Sequence, residues 1–226
     1  MLGLGLFVAL VMMGQVARGA TMTFVGFDSK GDPVNAAATF TPGAGTLHID
    51  LVNNLVNQND VGQNISDLSF SIIKVTGAPV TGGSLTNSSG LERTVSFKTA
   101  GGFTDGSNVS TGWVLDSTTT YHLNGLGTAA NTPAHTILGS PNGSNAYANA
   151  NGSIVGNKPH NPFLVGTVGF DLTIPNIDAN SVITDVHFSF GTTPGDNGHA
   201  PEPASITLLG IGIAGMAAYR WRRRKA

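Results

Sequence analysis

The feature that most constrains this chain is the alternation of apolar and polar residues in short segments. Val168-x-Phe170-x-Leu172-x-Ile174 and Thr184-x-Val186-x-Phe188-x-Phe190 are the strongest examples. Between Thr46 and Val52, Leu47, Ile49 and Leu51 face one way while Thr46, His48 and Asp50 face the other. A period of two is that of an extended strand with one face in a core, and no window here carries a 3.6-residue helical period. Shorter stretches repeat the pattern: Leu68-x-Phe70-x-Ile72, Leu91-x-x-x-Val95-x-Phe97 and Thr119–Leu123. Thr21–Phe27 supplies Met22 and Phe24, with a break at Val25-Gly26 before Phe27. Ala36–Phe40 runs into Pro42-Gly43-Ala44-Gly45 and then Thr46–Val52, two alternating runs around a turn, which predicts a hairpin.

Half-buried strands separated by turn residues predict an all-β antiparallel β-sandwich of about eight to ten strands over residues 21–190. Jelly-roll, Ig-like and barrel orders carry the same signature, so strand order stays open. The expected core is Phe24, Phe40, Leu47, Ile49, Leu51, Leu68, Phe70, Ile72, Val95, Phe97, Val168, Phe170, Leu172, Val186, Phe188 and Phe190. Residues 125–161 break the pattern, with many small and turn-forming residues. A connection of that length is either functional or disordered. Its His135, Ile137, Leu138, Tyr147 and His160 favour an ordered loop over the sandwich, and 191–200 reads as a polar spacer.

Both ends differ from the middle. Leu2–Met13 is wholly apolar or glycine, and small residues follow, as in a signal peptide of residues 1–20. Ala17-x-Gly19 fits the small-x-small cleavage rule, with Ala20 next to it, although no lysine or arginine precedes the apolar core. At the other end Pro201-Glu202-Pro203 precedes an uncharged apolar run, 204–219, suited to a short transmembrane helix. Five of the six positions from Arg220 to Lys225 are basic, a pattern retained on the cytoplasmic side. The glycines Gly210-x-Gly212-x-x-Gly215 spell a dinucleotide motif, but a membrane helix with small packing residues accounts for them without the βαβ unit that motif needs.

The order of these three parts resembles the PEP-CTERM sorting tail of exported bacterial proteins. The residues carrying the resemblance are Pro201, Glu202 and Pro203, the apolar run, and the cluster with Arg220, Arg222, Arg223 and Arg224. The resemblance implies export, an inner-membrane precursor with a cytoplasmic carboxyl end, and cleavage near the tripeptide by an exosortase-type membrane protease. Signal peptidase would act at the other end. Delivery to the cell envelope, the surface or an extracellular (biofilm) matrix follows.

Charge and composition narrow the chemistry of the exported part. Residues 21–203 carry five basic and thirteen acidic side chains, a net charge of −8, while the whole chain is at −2. An acidic surface without a basic patch excludes nucleic acid as a simple electrostatic partner. With no cysteine, disulfides and thiolate zinc sites are excluded. The Walker, Gly-x-Ser-x-Gly and His-Glu-x-x-His patterns are missing. Glu92, the only glutamate before the tail, stands beside Arg93 and reads as a surface ion pair or a solvated side chain. Asp171 and Asp185 read as solvent-facing residues on adjacent strands, and His48 and His187 as outer-face residues.

We therefore expect no enzyme, no cofactor and no resident metal, and a structural, non-catalytic domain. A carbohydrate-binding module would use Trp113, Tyr121 and Tyr147 as ring platforms, with extracellular polysaccharide as partner. A metal-assisted envelope hydrolase would use His135 and His160 if the loop brought them together. Loose calcium binding at Asp28-x-x-Gly31-Asp32 lacks the ligand spacing of an EF-hand.

Overall fold

The computed structural model describes residues 21–96, 101–126, 134–156 and 160–193. The expected signal peptide, spacer residues 194–200 and the carboxyl-terminal tail lie outside the described residues. Eleven strands are present: β1 (Thr21–Phe27), β2 (Pro33–Pro42), β3 (Thr46–Asn53), β4 (Ile65–Ile73), β5 (Ser84–Ser96), β6 (Gly102–Val109), β7 (Val114–Thr118), β8 (Tyr121–Asn124), β9 (Ile137–Leu138), β10 (Phe163–Thr173) and β11 (Val182–Phe190). The described residues are thus all-β, apart from a single 3₁₀ turn at Val61–Gln63.

The eleven strands form one continuous hydrogen-bonded sheet that folds over into two layers through β9, with β1-β2-β3-β10-β5-β6 in one and β11-β4-β8-β7 in the other. Their inner faces meet through rings: Phe40 on Phe70 at 5.1 Å, Trp113 on Phe170 at 5.2 Å, and Phe24 on Phe190 at 5.8 Å. Aromatic pairs at such separations add about 0.5–1.5 kcal/mol each beyond the area they bury. Strand β10, late in the chain, inserts between β3 and β5, pairing Phe170 with Ile49 on one side and Ser88 on the other. The two-residue strand β9 then stitches the layers together, lying parallel to β10 and antiparallel to β4.

The β2–β3 hairpin forms where alternation and turn residues predict it. Phe40 pairs with Ile49, and Gly43 N–H donates to Thr46 C=O at 2.8 Å. Gly45 takes φ +76°, a conformation that a residue with a Cβ adopts only under strain.

Thirteen of the sixteen expected core residues are buried, from Phe40 to Phe190. Phe24 and Val186 are half-buried against the core, and Phe97 lies outside the described residues. Three expectations are corrected. Strand β1 has no break, pairing all seven residues with β2, and Phe27 points outward at 42% exposure. Strand β5 starts at Ser84 rather than Leu91, because polar Ser88 and Asn87 pair with β10. Asp171 and Asp185 are not on neighbouring strands, since β11 pairs with β4 and β10 with β3, β5 and β9.

The 125–161 connection, where described, is part of the core. Ile137, Leu138, Tyr147, Ile154 and Val155 are all buried. A polar network holds it in place. Asn53 Nδ2 donates to the carbonyls of Gln63 (2.9 Å) and Ile137 (3.0 Å), and Gln58 Nε2 donates to Asn64 Oδ1 at 3.0 Å. Asn64 Nδ2 donates in turn to Thr136 Oγ1 at 2.9 Å, and Gln58 Oε1 accepts from Gly139 N–H. A short strand with two ladder partners gains its remaining order from amides like these, whose own burial is tolerable only when they are satisfied.

Candidate functional site

The residues singled out for ligand contact are mostly inside. Trp113 is 3% exposed, Tyr121 0% and Tyr147 1%. Trp113 Nε1 donates to His135 C=O at 2.9 Å, Tyr121 Oη to Gly82 C=O at 3.0 Å, and Tyr147 Oη to Gly139 C=O at 2.7 Å. Buried tryptophan and tyrosine usually find such a partner for the polar end. Burial pushes both tyrosine hydroxyls above their ordinary pKa. Rings placed this way present no face to a sugar, which corrects their assignment as platforms. The signal that hid this was periodicity: Trp113 sits just outside a strand and Tyr147 inside a turn-rich loop.

His135 and His160 have separate partners. His135 Nε2 lies 2.8 Å from Glu92 Oε1, and its Nδ1 lies 2.9 Å from Thr111 C=O. His160 Nδ1 lies 2.5 Å from Ser153 C=O. Glu92 therefore pairs with His135 and not with its neighbour Arg93. The Arg93 side chain takes Asp105 in a two-point grip, Nε to Oδ1 at 2.6 Å and Nη2 to Oδ2 at 2.9 Å, and its Nη1 donates to Tyr147 Oη at 3.0 Å. The guanidinium carbon also lies 3.7 Å from the Phe103 ring centre. Arg93 thereby latches the 139–156 segment onto the β5–β6 hairpin, and the planar fork is what a lysine could not supply.

Two His–Asp clamps lay hidden in the sequence. On β3, His48 Nδ1 is 2.6 Å from Asp171 Oδ1 of β10, and its Nε2 is 3.2 Å from Asp50 Oδ1. On β8, His122 Nδ1 is 2.6 Å from Asp116 Oδ1 of β7, while Nε2 is 3.9 Å from the buried Asp67. The hydrogen bond with Asp171 raises the His48 pKa above 6.5, and Asp67 with Asp116 does the same for His122. Asp171 is held below its ordinary 3.8, first by His48 and then by Asn87. The sequence held half of this, since His48 and Asp50 share a face at i, i+2. The other half required β10 to be beside β3.

A raised histidine pKa stabilises the fold fully below the ordinary value of 6.5 and is lost as pH rises through the folded value. The depressed Asp171 contributes above 3.8 and is lost on acidification. Thermal unfolding midpoints are therefore expected to be highest between pH 3.8 and 6.5 and to fall as pH rises beyond 6.5. A His48→Gln, His122→Gln variant should flatten that fall; an unchanged slope would remove the clamps as its source.

Among the described residues no group of three or more His, Asp or Glu side chains is placed to hold a metal ion. An imidazole turned onto two carboxylates serves as a cross-strand tie rather than as a free base. The chain's clearest functional feature is therefore its tail, where Pro201, Glu202, Pro203 and the arginines at 220 and 222–224 stand in order. Comparison with protein families matches residues 199–224 to the PEP-CTERM protein-sorting motif. The chain carries a PEP-CTERM sorting motif. This makes it an exported protein with a membrane-anchored precursor, sorted and processed by an exosortase-type membrane protease. Comparison with curated proteins and with solved structures returned no match. No helix among the described residues is long and apolar enough to cross a membrane, and the expected span at 204–219 lies outside them, as do Ala17, Gly19 and Ala20.

Proposed function

We propose that the PEP-CTERM tail delivers a non-catalytic β-sandwich to the cell surface or an extracellular matrix, where the domain serves as a structural component. Signal peptidase removes the leader near Ala17-x-Gly19, the 204–219 run holds the precursor in the inner membrane, and the sorting protease cuts near Pro201–Pro203. The observation that carries this reading is the match at 199–224, directly behind a polar spacer. A rigid, proline-bounded tripeptide at the membrane surface has to stand clear of the fold to enter a protease, and the polar, glycine-containing spacer allows that.

The domain suits an exterior without chaperones or thiol chemistry. It has no cysteine, its long loop is pinned by buried amides, and its titratable pairs tie strands to strands. Mass spectrometry of the mature carboxyl terminus, in envelope and secreted fractions of the native host, tests the reading. We expect an end near Pro203, without the apolar run and basic tail. An intact Ala226 in both fractions, in cells that process other such tails, would overturn it.

A further inference from the structure

We infer that β1 is a self-association edge, at which two copies of this protein pair their first strands antiparallel. The four outer strands of the two layers are β1, β6, β7 and β11, each with a single ladder partner among the described residues. Unpaired edges invite another strand, and proteins block them with charges, prolines and bulges. Three of the four edges are blocked. Strand β6 carries Asp105 and a register shift against β5. Strand β7 carries Asp116 and a shift between Leu115 and Ser117. Strand β11 carries Asp185 at φ +51° inside a shift between Thr184 and His187.

Strand β1 has none of these. Thr-Met-Thr-Phe-Val-Gly-Phe holds no charge and no proline, and its ladder with β2 runs without a shift. Its outer face is apolar at the far end, with Val25 63% and Phe27 42% exposed. Its inner face is also incomplete: Met22 and Phe24 border an open groove of about 400 Å³ whose other wall is Val186 and Phe188 of β11, with Thr184 and Asp185 at its rim. The side chains of an added strand would cover that groove.

The occupant that fits is a second copy. The exported part carries a charge of −8, so most faces of two copies repel, whereas β1 brings no charge to its own image. An antiparallel pair centred on Phe24 uses all seven residues, setting Thr23 against the partner's Val25 and Thr21 against its Phe27. These are β-branched and aromatic cross-strand pairs of the stabilising kind. Two seven-residue strands bury less than a standard interface, so the pairing is expected to be weak in solution and effective where copies are crowded.

The test uses the chain from Ala20 to Ala226 in detergent micelles. Sedimentation over a concentration series is expected to show a monomer–dimer equilibrium. The double substitution Thr23→Lys, Val25→Lys sets ammonium groups opposite one another and is expected to weaken dimerisation by about tenfold or more. Both positions are exposed, so the unfolding midpoint should stay where it was, a control for misfolding. Because the chain has no cysteine, register is read separately: mild oxidation of a Thr23→Cys chain mixed with a Val25→Cys chain should yield far more cross-linked dimer than either chain alone. Wild type that stays monomeric, a double-lysine variant that associates as wild type does, or cross-linking without preference for the mixture would each overturn the inference. None of these outcomes bears on cleavage of the tail, which is read by mass spectrometry.

Discussion

Replacing Phe170 with alanine is expected to cost about 3–5 kcal/mol of stability, a large share of the about 5–15 kcal/mol that holds a typical domain together. The residue is fully buried at the point where the layers meet, with the Trp113 ring tilted against it at 5.2 Å. Its backbone is paired on both sides, to Ile49 of β3 and Ser88 of β5, so the strand cannot sag into the space a ring leaves behind. A cavity that cannot collapse forfeits dispersion contacts as well as transfer energy. Phe170→Leu, which keeps most of the volume, should cost less than half as much. Urea unfolding of both variants with an unchanged m-value checks this. A loss below about 1 kcal/mol for the alanine variant would mean that this ring is not enclosed between the two layers.

The second large effect belongs to a glycine. A Cβ on Gly139 would lie 2.0 Å from Leu55 O and 2.9 Å from Gln58 Oε1. Neither neighbour is free to move. Leu55 C=O accepts from Ser140 N–H at 2.9 Å, and Gln58 is buried and bonded to Asn64. Gly139 itself uses both backbone groups, its N–H towards Gln58 and its C=O towards Tyr147 Oη. Gly139→Ala must therefore break backbone pairing around β9, and a loss of about 3 kcal/mol or more is expected from overpacking and orphaned polar groups together. Amide exchange would show where the damage lies: protection should drop first at Ile137, Leu138 and Ser140 and only later in β3 and β10. Gly143→Ala, in the same segment with open space around it, is the matched control and should be near neutral.

These two sites also show what could be read along the chain. Phe170 announces itself, because Val168, Phe170, Leu172 and Ile174 alternate with polar residues, and a half-buried strand has to place them on the core side. Gly139 does not. It is one of 31 glycines in the chain and lies in a stretch without period, and only the passage of the 53–58 segment against it makes it indispensable. Tyr147 and Trp113 fail for a related reason. An amphipathic ring among polar neighbours looks like a surface platform, and whether a nearby carbonyl satisfies its polar end depends on residues far away in sequence. Glu92 beside Arg93 reads as an ion pair or a solvated side chain, but successive side chains on a strand point to opposite faces, so adjacent residues make poor partners.

The sequence by itself determined the all-β class, the β2–β3 hairpin, most of the core and the sorting signal. Each is written in local order: a period of two, a turn between two runs, or three elements in series at one end. Tertiary structure alone decided that β10 lies between β3 and β5, that β9 joins the layers, and that His48 meets Asp171. Those contacts join residues tens of positions apart, and strands that alternate alike are compatible with many neighbours. What selects among them is the packing of rings between the sheets and the pairing of buried amides, free-energy terms that exist only once the chain has closed on itself.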